Sequence, residues 1–332
     1  MLIGLGCVLA AGILQGIFLL PMDYMRGWRW EHSWLAFSLF GMLIFNWLFA
    51  LETLPHIFEI YRAVPLEELS RLTLFGLGWG LGAVLFGLGM ARLGLALGYP
   101  IIMGLIASFG ALAPLLIFFP RTLASTKGAV IIAGMVVVVA GIVMCSRAAK
   151  RREVATASPG SHVGRGVLIA VAAGILSCLP NIGLVFGERV VAAARVFGTP
   201  ADMGANAVWA LFFTAGFVLN LVYCLYLMSR NRTGGSLSTA HLPRNLALSA
   251  LMGLLWIGSF YGYGFGARHL GALGPVMGWP LFIATSIVVG NIVGLWRGEW
   301  RIAPPVARVL LGRGLIVLFL AVGVIAASGA IP

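Results

Sequence analysis

Residues Leu74–Gly94 read LFGLGWGLGAVLFGLGMARLG. The stretch carries no charge before Arg92 and shows no polar/apolar alternation. It is also long enough to cross a hydrocarbon layer of about 30 Å as a helix. A membrane strand needs only about ten residues and alternates, so the strand reading fails. The pattern returns after 177 residues as LMGLLWIGSFYGYGFGARHLG, Leu251–Gly271. Leu74, Gly76, Leu77, Trp79, Gly87, Gly89, Leu93 and Gly94 fall on Leu251, Gly253, Leu254, Trp256, Gly264, Gly266, Leu270 and Gly271, eight identities in 21 positions. Leucine and glycine are abundant here, so the pairing of Trp79 with Trp256 carries most weight. A second echo, AAGIL, joins Ala10–Leu14 to Ala172–Leu176 at a shift of 162.

Similar apolar runs number ten along the chain: Leu2–Leu20, Trp34–Leu51, Leu72–Ala91, Leu95–Phe118, Gly128–Cys145, Gly166–Gly187, Gly204–Met228, Asn245–Gly266, Leu273–Trp296 and Val309–Ser328. The composition agrees: 61% of the 332 residues are hydrophobic and 10% charged, against about 25% charged in a soluble chain. A water-soluble globule and a large extramembrane domain are both excluded. The expectation is an all-α polytopic membrane protein of ten transmembrane helices. Residues 1–146 and 166–332 form five-helix repeats around a polar linker, 147–165. A unit of five helices, repeated once, inserts its second copy upside down, and inverted repeats are a signature of transporters. The first run has no basic lead and no cleavage-type site, so it reads as a retained helix. Glu52–Arg71 reads as an amphipathic interfacial lead-in to the third helix.

The net charge of +12 concerns placement rather than nucleic acid. Fifteen of the 22 Lys and Arg lie in or beside the loops joining helices 1–2, 3–4, 5–6, 7–8 and 9–10, and seven lie on the other face. The positive-inside rule puts the linker in the cytoplasm and both termini outside. The cysteines, Cys7, Cys145, Cys178 and Cys224, sit inside apolar runs without metal-type spacing and read as packing residues. All five histidines and all ten carboxylates fall in loops or near helix ends. A metal site, a carboxylate pair or a base-activated nucleophile therefore has nothing to be built from at one membrane depth. No enzyme activity, no cofactor and no metal are expected.

What the helices hold is uncharged. Gln15 lies mid-helix, Asn181 follows Pro180, and Asn46, Asn206, Asn220 and Asn291 are the other buried amides, each more often a helix–helix bond than a ligand contact. Trp79, Gly82 and Phe86 share one helix face, and Trp256, Ser259 and Tyr263 share another. The glycine strings lack a preceding strand and are not a nucleotide fingerprint. Gly12/Gly16, Gly258/Gly262/Gly266 and Gly290/Gly294 read instead as small-residue contacts between helices.

On these residues the chain resembles the L-rhamnose–proton symporter family of the drug/metabolite transporter superfamily, nearly end to end. The marks are WRWEHSW (Trp28–Trp34), the Leu74–Gly94 run, LMGLLW (Leu251–Trp256) and GNIVGLWRGEW (Gly290–Trp300). The resemblance implies helices 1, 3, 4, 6, 8 and 9 around a central cavity, and proton-driven uptake of a 6-deoxyhexose across the bacterial inner membrane. The family pattern carries amides where this chain has Ala83 and Ser259, which leaves a cavity poorer in hydroxyl partners.

The expected function is import of L-rhamnose or a similar 6-deoxy sugar, coupled to protons, by alternating access. Trp79 and Trp256 stack on the sugar, and Gln15, Asn181, Ser259 and Tyr263 take its hydroxyls. Glu188 and Asp23, at cavity mouths, are the proton-coupling candidates. Glu188 adjoins Arg189, which suggests an ion pair. An exporter or facilitator of another small metabolite is the alternative, and a non-transporting scaffold or sensor the more distant one. The expected partners are the sugar, protons and the lipid bilayer, with no nucleic acid and no obligate protein partner.

Overall fold

The computed structural model describes residues 1–153, 163–237 and 240–331. Among these described residues ten helices are long and apolar enough to cross a membrane: α1 (Leu2–Tyr24), α2 (Trp30–Thr53), α3 (Leu66–Met90), α4 (Gly98–Phe118), α5 (Thr126–Arg152), α6 (Gly164–Phe186), α7 (Ala205–Arg230), α8 (Leu242–His269), α9 (Gly274–Trp296) and α10 (Pro305–Ser328). No strand occurs among the described residues. In lipid the backbone must satisfy its own hydrogen bonds, which only helices or closed barrels do. The protein is a multi-pass helical membrane protein.

Two boundaries differ from the sequence reading. The expected linker, 147–165, is helical up to Glu153 and again from Val163. Ala148, Ala149, Lys150, Arg151 and Arg152 are good helix formers, and the cations suit the C-terminal dipole. Residues 154–162 lie outside the described residues. The Glu52–Arg71 stretch contains a short helix, Ile57–Ala63, whose Ile57 and Ile60 are wholly buried beside Val190, Val191 and Ala194. It packs on the helix Glu188–Val196.

Close helix contacts recur in pairs. A Cβ on Gly76 would lie 2.2 Å from the Phe212 carbonyl of α7, and one on Gly253 would lie 2.7 Å from the Gly41 amide of α2. Gly12 faces Thr285 and the Phe282 carbonyl, while Gly174 faces Leu105 and the Ile102 carbonyl. Gly266 meets Val8, and Gly89 meets Ala170. Between α5 and α10 the contact is reciprocal: Gly141 meets Leu318, and Gly314 meets Cys145. Of the small-residue contacts expected, those at Gly12, Gly16 and Gly266 are tight. Gly258 and Gly262 have room, with their nearest neighbours at 3.9 and 3.6 Å.

Two connections are very short. The backbone stays helical between α3 and α4, yet it reverses, because a Cβ on Gly98 would sit 3.3 Å from the Gly89 carbonyl. Nine residues of straight helix would separate them by about 13 Å. Between α8 and α9, Gly271 takes φ +83°, which glycine alone adopts freely, and a Cβ on Gly274 would fall 1.8 Å from the Ala267 carbonyl.

The WRWEHSW segment ties the α1–α2 loop to the α7–α8 loop. Buried Glu31 accepts from Thr233 Oγ1 at 2.9 Å and Asn231 Nδ2 at 3.2 Å. His32 Nδ1 accepts from the Arg29 amide at 3.1 Å, so its Nε2–H donates to the Thr233 carbonyl at 3.0 Å; the network fixes the tautomer. Thr233→Val leaves Glu31 short of a donor in a dry site, and a thermal unfolding scan is expected to show a loss of about 1–3 kcal/mol. An unchanged melting temperature would show that the clamp carries no stability.

Candidate functional site

A cavity of about 500 Å³ opens on the face that carries the α1–α2, α5–α6 and α9–α10 connections, here called the linker face. That volume lies within the usual small-molecule range of about 300–1,000 Å³. Its mouth is made by Leu19, Trp34, Arg152, Glu299 and Trp300, and its depth by Trp79, Trp256, Phe260, Trp279 and Phe282. Every helix except α7 and α10 contributes a lining residue.

Trp79 and Trp256 stack, with ring centroids 5.7 Å apart and planes 27° apart. Each lies on a glycine of a different helix. A Cβ on Gly216 would strike the Trp79 ring at 2.7 Å, and one on Gly41 would lie 3.2 Å from the Trp256 ring. Gly41 sits within the π-helical turn Leu39–Phe45 of α2, a widened turn that aims backbone at the ring. Phe213 and Phe260 meet Trp256 edge-on or tilted at 4.8 and 5.1 Å. The two indoles thus form a fixed aromatic floor.

The polar residues read from sequence divide into two groups. Gln15 lines the cavity, and its Oε1 accepts a 2.8 Å bond from the Ser259 hydroxyl, which also approaches the Trp256 carbonyl. Ser259 is wholly buried behind Gln15. Asn181 and Tyr263 lie beyond the floor, toward the opposite face, and outside the lining. The Tyr263 hydroxyl donates to Asn181 Oδ1, and Asn181 Nδ2 donates to the Gly110 and Pro275 carbonyls at 2.8 and 2.9 Å. Trp279 Nε1 donates to the Ile106 carbonyl at 2.7 Å. Together with buried Trp209 this layer closes the cavity against the opposite face. Among the other amides, Asn46 bonds the Met42, Trp209 and Ala210 carbonyls, Asn206 bonds Thr53, and Asn220 accepts from Trp34 Nε1 at 2.9 Å. These join helices, while Asn291 lines the cavity.

Glu188 does not pair with its neighbour Arg189. Its carboxylate takes Arg268 at 2.8 and 3.1 Å, and Arg189 reaches Glu68 at 3.2 Å instead. Adjacent residues on a helix point about 100° apart, so the end of α8 supplies the closer cation. The Glu188–Arg268 pair lines a second cavity, of about 1000 Å³, on the opposite face, beside Asp202 and His269, which lie 3.9 Å apart. Asp23 ends α1 on the linker face and accepts from Arg297, which raises the Arg297 pKa above its ordinary value. Neither carboxylate lines the cavity floored by Trp79 and Trp256.

A carboxylate that the sequence reading passed over does line it. Glu299 stands at the mouth, 3.6 Å from Arg152, whose guanidinium lies 4.8 Å over the Trp300 ring. Its signal was present in GNIVGLWRGEW, one loop past α9. Tyr99 and Trp34 are further lining residues that sequence spacing did not single out. Among the described residues no group of three His, Cys, Asp or Glu side chains comes together to hold a metal.

Residues 2–330 match the family model described as L-rhamnose-proton symport protein (RhaT). Among similar curated proteins, the L-rhamnose-proton symporter of Klebsiella pneumoniae subsp. pneumoniae is 27% identical over 317 residues, covering 93% of this chain and 92% of that one. Those of Cronobacter sakazakii and Escherichia coli are 27% and 26% identical over the same shares. Ten apolar helices, an aromatic-floored cavity open to one face and an end-to-end match agree: the chain belongs to the L-rhamnose-proton symport protein family.

Proposed function

We propose that this protein imports L-rhamnose or a similar 6-deoxy sugar with protons across the bacterial inner membrane, by alternating access of two inverted five-helix repeats. The observation that carries this is the stacked Trp79–Trp256 floor of a one-sided cavity, in a chain whose relatives are named L-rhamnose-proton symporters. Indole faces suit the apolar C–H face and methyl group of a deoxy sugar, and Gln15, with Ser259 behind it, offers an amide to its hydroxyls. Asn181 and Tyr263 reach the substrate only once the layer that binds them to each other parts.

The repeat, residues 1–146 and 166–332 about the 147–165 linker, is supported by the paired contacts. Shifting Gly12, Ile102 and Leu105 by 162, 180 and 180 residues gives Gly174, Phe282 and Thr285, so the Gly12 contact with α9 and the Gly174 contact with α4 are counterparts. The basic excess on the linker face supports a cytoplasmic linker and periplasmic termini, and the cavity then faces the cytoplasm.

Counterflow of labelled L-rhamnose into proteoliposomes tests the reading. Exchange well above protein-free vesicles is expected, and none from folded protein would overturn it. The largely apolar lining favours a second reading, a facilitator of a less polar metabolite, which would show stabilisation by amphiphiles and none by sugars in a thermal panel.

For coupling, Glu188, Asp23 and Glu299 are the carboxylates at cavity mouths. Loss of the carrier abolishes uphill uptake but spares exchange, because exchange needs no net proton transfer. Glu299→Gln is expected to behave so, since Glu299 alone of the three lines the cavity. Glu188→Gln and Asp23→Asn are the comparisons. Full accumulation in Glu299→Gln would pass the role to one of the other two.

A further inference from the structure

The layer that seals the opposite face has a counterpart that is open. Trp209, Asn181, Tyr263 and Trp279 make the seal, from α7, α6, α8 and α9. The shifts that relate the paired glycine contacts are 162 residues from α1 to α6, 177 from α3 to α8 and 180 from α4 to α9. The two tryptophan–glycine contacts add 175 from α2 to α7, relating Gly41 to Gly216. Applied to the seal, these shifts give Trp34, Leu19, Phe86 and Tyr99. All four line the open cavity.

The seats on which the seal rests follow the same map. Trp279 and Trp209 press on glycines: a Cβ on Gly110 would meet Trp279 Nε1 at 2.3 Å, and one on Gly264 would meet Trp209 Nε1 at 2.7 Å. Their counterparts are Gly290 and Gly87. A Cβ on Gly290 would find only the Gly16 carbonyl, at 3.5 Å, and one on Gly87 would find nothing within 4 Å. Two seats are filled on the sealed side, and two are vacant on the open side.

We infer that Trp34, Leu19, Phe86 and Tyr99 form the second gate of the transport cycle, and that it closes when Tyr99 seats on Gly290 and Trp34 on Gly87. This rests on the inverted-repeat reading of the proposed function. Vacancy makes the claim specific. A Cβ on either seat meets no close contact in the present conformation, and a bulky side chain there obstructs the other one. A methyl group on Gly110 does the reverse, because it collides with Trp279 in the present conformation only.

Two introduced thiols report the two states without any sugar. Half-buried Asn291 lines the open cavity, whereas Ala111, its counterpart at the 180-residue shift, is wholly buried, so position 111 becomes solvent-facing when the opposite face opens. The native thiols do not serve: Cys145 is buried against Gly314, and a Cβ on Gly16, the counterpart of Cys178, would press on Val289 rather than enter the cavity. The experiment uses two full-length proteins in nanodiscs, their native cysteines replaced by alanine, one carrying Ala111→Cys and one carrying Asn291→Cys. The reaction rate with a water-soluble maleimide is measured for each.

Gly290→Leu and Gly87→Leu are expected to slow labelling at position 111 by about tenfold or more, as overpacking a closed state shifts populations. Labelling at position 291 should keep at least its parent rate, and the protection retained at position 111 shows that the variants are folded. Gly110→Ala should speed labelling at position 111 and slow it at position 291. If a leucine variant does not fold, Gly290→Ala, whose methyl group meets only ordinary contact here, replaces it with the same expected direction. Unchanged labelling at position 111 in the seat variants, or equal slowing at both positions, would overturn the gate. Because no substrate is present, a failure of L-rhamnose counterflow leaves this outcome untouched, and the two readings fail separately.

Discussion

Trp79→Ala is expected to reduce L-rhamnose counterflow in proteoliposomes by more than about tenfold while the protein remains folded, equivalent to losing at least about 1.4 kcal/mol of substrate interaction. Trp79 is half-buried, with Gly216 beside its six-membered ring and Trp256 stacked near it, so truncation opens the floor of the cavity rather than the core. Trp256→Ala is more severe. That ring is 3% exposed, packs against Phe37, Phe213 and Phe260, and its removal from a dense core costs about 3–5 kcal/mol of stability. The two variants therefore separate transport from folding. Gel filtration with a melting curve should show Trp79→Ala near the parent and Trp256→Ala well below it. Phenylalanine at position 79 should restore part of the counterflow, because a ring face survives. Parent-like exchange in Trp79→Ala would remove the aromatic floor from the mechanism.

Gly76→Ala is the largest expected effect on the fold. The added methyl group would stand 2.2 Å from the Phe212 carbonyl and 2.9 Å from the Ala215 side chain, both on α7, and neither is the movable end of a long side chain. The α3–α7 pair must separate, at a cost at the upper end of the roughly 1–3 kcal/mol usual for overpacking or beyond it. Gly323→Ala is the matched control. Position 323 in α10 has nothing within 4 Å, and alanine favours helix over glycine by about 1 kcal/mol. Melting temperatures in one detergent should move in opposite directions, down for Gly76→Ala and unchanged or up for Gly323→Ala. A fall of similar size in both would mean that the close approach does not govern stability.

The helices were legible because each needs one contiguous apolar run and nothing else. The predicted Gly204–Met228 is Ala205–Arg230, and Leu95–Phe118 is Gly98–Phe118. Ends that failed to match were set by helix formers without hydropathy, as at Lys150 to Arg152, whose polarity marks a boundary that the backbone ignores. Trp79 and Trp256 touch, and they are related by a shift readable in the sequence, as the proposed repeat leads one to expect of residues near its axis. Other contacts leave no such signal. Glu299, Arg152 and Trp300 meet at the mouth only because α5 and the α9–α10 loop end side by side. Gln15 and Ser259 were both read as hydroxyl partners, yet they spend one bond on each other, a pairing that depends on how α1 and α8 cross. Asn181 and Tyr263 likewise bond to each other in this conformation, and no single sequence states which of two conformations a residue serves.

The tight reversals at Gly98 and Gly274 leave the joints between α3 and α4, and between α8 and α9, without slack. Each hairpin is then a stiff lever rather than two rods on a hinge, and neither can lengthen one arm without carrying the other. Mechanically, such a machine has close to a single coordinate, the angle between its levers. One pair of spin labels, on the mouth end of each hairpin, should therefore read out the entire cycle as a two-peaked distance distribution, with no intermediate separations to resolve.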